Sequence, residues 1–147
     1  MLSNCHSSLT EDFVLELSKS DYMLFLRHPA WLWLKRNDPT KLPGIPPSAQ
    51  HRVDEGYEFE EFAEQLFSGA KKIGFKDIGE YNTMLSRTSA AWSSGAHCVI
   101  QGKYQFGEIT CITDILEDDG DGYVLTEIKS SSSAKPEHEL DLAFQKL

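Results

Sequence analysis

The stretch from Ile109 to Lys129 constrains the fold more than any other part of the chain. Two apolar runs, residues 109–116 and 123–128, flank the acidic segment Asp118-Asp119-Gly120-Asp121-Gly122. β-Branched and apolar runs on either side of a tight Asp/Gly turn predict an antiparallel hairpin. Each run has an ionisable interruption. Asp114 stands inside Ile112-Thr113-Asp114-Ile115-Leu116, and Glu127 and Lys129 close the second run. A carboxylate in an apolar strand is unfavourable unless it is paired or binds a cation. Side chains two residues apart on a strand share a face, so Glu127 and Lys129 are expected side by side. The turn folds Asp114 back beside them. The sequence thus predicts two carboxylates and one ammonium on one patch of a hairpin.

That set suits a hard, oxygen-seeking cation such as Mg²⁺, which takes one or two carboxylates together with waters and phosphate oxygens. The metal lowers the pKa of a bound water and shields charge on a reacting phosphate. A neighbouring lysine holds or deprotonates the water, or neutralises developing charge. The competing structural reading is an α+β domain in which Asp114 and Lys129 form a salt bridge.

Elsewhere the chain alternates short helices and loops. Residues 1–16 read as a flexible N-terminal segment. Ser18 or Ser20 is a candidate cap for a helix over 21–27. Pro29 opens a second helix over 30–35, whose Trp31, Leu32, Trp33 and Leu34 are apolar all round and so expected to be buried or covered by a partner. Prolines 39, 43, 46 and 47 mark a loop. A long helix over 48–67 follows, with Val53, Tyr57 or Phe59, Phe62, Ala63, Leu66 and Phe67 at helical spacing, and Gly69 as its stop. Another helix covers 78–92 and stops at Gly95. Cys98-Val99-Ile100 and Tyr104-Gln105-Phe106 are β-like, and Pro136 opens a final helix.

The net charge of −9 over 147 residues excludes binding of nucleic acid through a broad basic surface, but not a carboxylate-based site. The three cysteines, Cys5, Cys98 and Cys111, have no paired spacing and read as reduced thiols rather than a zinc or iron–sulfur site. No signal peptide and no span of about 18 apolar residues is visible, so the expected location is cytoplasmic. The acidic turn lacks the spacing and terminal Glu of a calcium-binding loop.

Asp114, twelve intervening residues and then Glu127-Ile128-Lys129 resemble the D-…-E-x-K signature of the PD-(D/E)XK nuclease superfamily, most closely its RecB-like exonuclease branch. Gly56-Tyr57-Glu58-Phe59-Glu60 is similar to the family's G-x-x-x-E/H element, and Gln145 to its Q-x-x-x-Y element. The opening Leu17-Ser18-Lys19-Ser20-Asp21-Tyr22 and His28-Pro29 resemble the branch's N-terminal helices, so the likeness spans residues 17–147. The resemblance implies an α/β, restriction-endonuclease-like core: a mixed or antiparallel central sheet flanked by helices. It implies that Asp114 and Glu127 hold Mg²⁺ or Mn²⁺, with Glu60 (or Glu58) assisting. Lys129 would act on the attacking water, and Gln145 would orient the site. The implied activity is hydrolysis of DNA phosphodiesters, with DNA and possible helicase-like proteins as partners. The alternative is a catalytically weak module that binds DNA or such a partner. His28 stands where iron–sulfur members carry a cysteine. The tyrosine of Q-x-x-x-Y and a further core strand would fall beyond Leu147, so the core is expected to be truncated at its C-terminus.

Overall fold

The computed structural model describes residues 16–44 and 46–146. The segment expected to be flexible therefore lies outside the described residues, apart from Glu16, as does Cys5. In chain order the elements are β1 (Leu17–Ser18), α1 (Lys19–Arg27), α2 (Pro29–Asn37), α3 (Pro47–Glu64), β2 (Lys71–Lys72), α4 (Ile78–Ser93), β3 (Cys98–Phe106), β4 (Ile109–Asp118), β5 (Tyr123–Thr126) and α5 (Pro136–Gln145), with a short 3-10 turn at Pro39–Lys41.

The helix signals act as their residues suggest. Ser18 caps α1: its hydroxyl accepts from the Asp21 N–H, and the Asp21 carboxylate accepts from the Ser18 N–H. Pro29, Pro47 and Pro136 sit in first turns, where a missing N–H is harmless. The acidic turn closes the β4–β5 hairpin, with Asp119 donating its N–H to the Gly122 carbonyl at 3.2 Å and Gly120 at φ +90°. The two β-like pieces near residue 100 form one strand, β3.

The sheet is mixed and open, in the order β1-β4-β3-β2, with β5 also paired to β4. The β3–β4 and β4–β5 pairs are antiparallel, whereas β1–β4 and β2–β3 are parallel. The sheet and its flanking helices make the fold α/β. The two short parallel strands carry no sequence signal, because two residues show no periodicity.

β4 has an edge that is shared. β1 pairs with Ile109 and Thr110, and β5 pairs with Ile115 through Asp118. Residues 111–114 between them have no strand partner on that edge among the described residues. β1 runs parallel to β4 and β5 antiparallel, so their C-terminal ends approach this gap from opposite directions.

Ile100, Ile115 and Ile128 form the centre of the core, packed by Ala63, Phe67, Ala70 and Cys98. Met84 of α4 and Val99 of β3 are fully buried. Stacking of Tyr22 on Phe144, with centroids 5.0 Å apart, joins α1 to α5. Two expectations need correction. The α2 segment is not fully buried within the chain: Trp31, Leu32 and Leu34 are half-buried and Trp33 is 61% exposed. The long helix ends at Glu64, before Gly69, and much of its apolar face stays exposed. Phe62 and Leu66 are 66% and 77% exposed. Helical spacing signals a potential contact face, but it does not say how much of that face meets a partner.

Candidate metal centre

Asp114 lies on β4 at the gap in its shared edge. Across the β3–β4 ladder the paired register skips the step between Gln101 and Asp114. Gln101 has φ +52°, the left-handed region that a non-glycine residue rarely adopts. Its side chain donates to Glu64 Oε1 at 2.8 Å, and Lys72 pairs with Glu64 Oε2. Backbone strain beside a half-buried carboxylate marks a place where local geometry is held by its surroundings.

β5 ends at Thr126, so Glu127-Ile128-Lys129 lies just past the strand rather than on it. The Thr126↔Ile115 register, carried one step further, would set Glu127 opposite Asp114. Instead the chain turns, and the Ile128 N–H donates to Asp114 Oδ2 at 2.7 Å. Glu127 and Lys129 still meet, because Lys129 Nζ donates to Glu127 Oε1. The same ammonium reaches Asp141 Oδ2 of α5 at 2.9 Å. The salt-bridge alternative is therefore not realised as drawn: Lys129 pairs with Glu127 and Asp141, not with Asp114.

The Glu127 side chain is 3% exposed, which makes it the buried hub of the cluster. Oε1 takes Lys19 Nζ at 3.1 Å, and Oε2 takes Gln145 Nε2 at 2.8 Å. The Gln145 amide also donates to Asp141 Oδ1 at 3.1 Å. Acceptors surrounding Nε2 fix the amide orientation. Gln145 Oε1 is left buried with no donor among the described residues. Glu60 is half-buried near the end of α3, whereas Glu58 is exposed.

The electrostatics bind these groups into one site. Burial pushes the Asp114 carboxyl up from its usual range, and the Glu127 charge adds to this; the Ile128 N–H opposes it. Burial and then the Asp114 charge likewise push Glu60 up. Burial works against the Lys129 ammonium, but bonds to Glu127 and Asp141 outweigh it and hold its pKa above the ordinary lysine value. Lys19 is raised in the same way, burial being overcome by the Glu127, Asp141 and Asp114 charges. At neutral pH both lysines are cations.

The structure thus brings together Glu127, Lys129 and Gln145 by direct contact, and Asp114 through the Ile128 N–H. Glu60 joins electrostatically. Sequence reasoning missed Lys19 and Asp141. The Lys19 position lies in the opening segment already singled out, and Asp141 sits four residues before Gln145, one helical turn away on the same face. Among the described residues, no three His, Cys, Asp or Glu side chains are arranged as a ready cage for a metal ion. Glu127 and Asp141 turn toward the two ammoniums and the Gln145 amide instead. The donor chemistry of the carboxylates, hard anionic oxygen, still fits Mg²⁺ or Mn²⁺. Cys98 and Cys111 are free thiols, and no described helix is long and apolar enough to cross a membrane.

No protein-family model matches the chain, and neither the curated proteins nor the solved structures provide a match.

Proposed function

We propose that this chain carries the metal-binding part of a PD-(D/E)XK-type, Mg²⁺- or Mn²⁺-dependent nuclease that hydrolyses DNA phosphodiester bonds. The observation that carries the reading is the excess of carboxylate over ammonium around buried Glu127, at the gap where Asp114, Glu127 and Lys129 converge. A half-buried group of carboxylates left short of positive charge is suited to a cation.

Asp114 and Glu127 would hold the ion, with Glu60 contributing from α3. A bound Mg²⁺ supplies a water of lowered pKa and positive charge for the phosphate. The chain's own groups do the rest. The Gln145 amide fixes Glu127 Oε2, and the Ile128 N–H fixes Asp114 Oδ2, so both carboxylates are oriented in advance. Lys129 is protonated at neutral pH, so its contribution is to orient the attacking water and to neutralise charge on the phosphate oxygens. Removing a proton from the water would first require Lys129 to leave Glu127 and Asp141.

Cleavage of end-labelled single- and double-stranded DNA with Mg²⁺ or Mn²⁺ tests the reading. Metal-dependent cutting that vanishes in Asp114→Asn and Lys129→Ala is the expected result. No cutting and no Mn²⁺ binding by the folded wild-type chain would overturn it. A second reading, a non-cutting module that docks DNA or a helicase-like protein, is favoured by the exposed Trp33 on α2. DNA binding with Mn²⁺ bound but no cleavage would select it.

A further inference from the structure

His138 lies in an exposed stretch without being exposed itself. Residues 131–137 and 139–140 are exposed, and His138 between them is half-buried. Among the described histidines it alone is so placed, since His28, His51 and His97 are exposed.

The α5 helix explains the placement. Residues three, four and seven apart on a helix share a face, so His138, Asp141, Leu142 and Gln145 form one row. Contacts fix the far end of that row. Gln145 Nε2 donates to Glu127 Oε2 at 2.8 Å, and Asp141 Oδ2 accepts from Lys129 Nζ at 2.9 Å. One turn nearer the helix start, the same row brings His138 to a cleft of about 310 Å³. Glu127, Lys129, Ser131, Ser133 and Leu142 line it with His138. Glu137 and Glu139 flank His138 in sequence, but each points about 100° away around the helix, and both are exposed.

Two groups in the cleft hold hydrogen-bond donors in reserve. The Lys135 N–H donates to His138 Nδ1 at 3.3 Å. A backbone N–H can only donate, so Nδ1 carries the lone pair and the neutral ring keeps its proton on Nε2. Lys129 has three N–H donors and gives one each to Glu127 and Asp141. Its third donor and the His138 Nε2–H have no acceptor among the described residues. Such donors cannot serve a metal ion, which needs lone pairs. They suit anionic oxygen, and phosphate above all.

We propose that His138 and Lys129 together clamp a phosphate of the DNA backbone in this cleft, each donating to a non-bridging oxygen. The proposal rests on the nuclease reading above and names how that site grips its substrate. His138 moves no proton in this role, so its contribution falls on binding.

Steady-state cleavage of end-labelled DNA with Mn²⁺, using the full chain, tests the clamp. His138→Ala should raise KM about tenfold or more and leave kcat within about twofold, as expected for a lost hydrogen bond to a charged group. His138→Gln, whose amide N–H stands in for the Nε2–H, should recover most of the wild-type KM. An unchanged KM in folded His138→Ala, or no recovery in folded His138→Gln, would overturn the clamp and leave the nuclease reading intact. Far-ultraviolet dichroism serves as the folding control. If the variants do not fold, the imidazole nitrogen resonances of the wild-type chain decide. The neutral His138 ring should carry its proton on Nε2, and a proton on Nδ1 would overturn the clamp. No metal-dependent cutting by the wild-type chain would instead remove the nuclease reading, and the clamp with it.

Discussion

Asp21 and Glu127 are both buried carboxylates approached by two cations, but their surroundings are balanced differently. Asp21, 6% exposed on α1, faces Lys35 at 2.6 Å and Arg36 at 3.1 Å and completes the Ser18 capping box. Burial pushes its carboxyl up, but the bonds from Lys35 and Ser18 outweigh this and bring its pKa down to about 2. One negative charge meets two positive ones. Around Glu127 four acids share two ammoniums, and burial together with mutual repulsion holds Asp114 and Glu60 above their usual range. The Asp21 carboxylate has more than enough positive charge supplied from within the fold. A cluster left acidic keeps an unmet demand for positive charge that a ligand can supply.

Substitutions should separate the two clusters. The largest effect is expected on cleavage: Lys129→Ala should lower Mg²⁺-supported hydrolysis of labelled DNA by ~100-fold or more. Asp21→Ala should leave turnover per folded molecule unchanged. Equal losses in both variants would erase the distinction. Next in size is stabilisation by metal. Mg²⁺ at about 100 times its dissociation constant should raise the unfolding free energy by about 2.7 kcal/mol in wild type and in Asp21→Ala. Asp114→Asn should gain far less, as read from urea midpoints.

Asp21→Ala should itself cost about 2 kcal/mol, since it removes a reciprocal cap partner and leaves Lys35 and Arg36 facing no anion. Metal-free urea unfolding measures this, and a loss under ~0.5 kcal/mol would make the pair a plain surface contact.

The smallest effect lies in the pH dependence, where the two clusters have opposite signs. The folded pKa of Asp21 is below its unfolded value. Its contribution is therefore complete above about pH 4 and fades as pH falls toward about 2. The folded pKa values of Asp114 and Glu60 lie above their unfolded values, so the native state takes up their protons first. They therefore add stability as pH falls through that range and withdraw it at neutral pH. Asp114→Asn should raise the metal-free urea midpoint at pH 7 and leave it unchanged at pH 3, where the carboxyl is protonated folded or unfolded.

The parts legible in the sequence are those that contradict their local context. Asp114 interrupts an apolar strand, and the Asp/Gly turn announces a hairpin, so the pairing of those strands follows from the residues themselves. Gln145 and Glu60 entered through family resemblance, and in the fold the Gln145 amide donates to Glu127. Lys19 and Asp141 gave no local anomaly, since a lysine opening a helix and an acid inside one are ordinary. Their significance comes from long-range pairing, which periodicity does not encode. Glu64 was hidden in the same way, as one of several acids on α3, although Gln101 and Lys72 single it out in the fold. The same limit explains α3, where apolar spacing suggested a long buried face but Val53, Tyr57, Phe59 and Phe62 stay exposed.

The Lys19–Glu127 contact joins residues 108 positions apart, because opposite ends of the chain must settle on the two halves of β4. Closing so long a loop comes late and depends on most of the intervening structure being in place. During synthesis α1 emerges well before Glu127 exists, and no partial product can gather the acids around their cations. The proposed chemistry is thereby gated by maturation itself: an unfinished molecule has no assembled centre with which to cut.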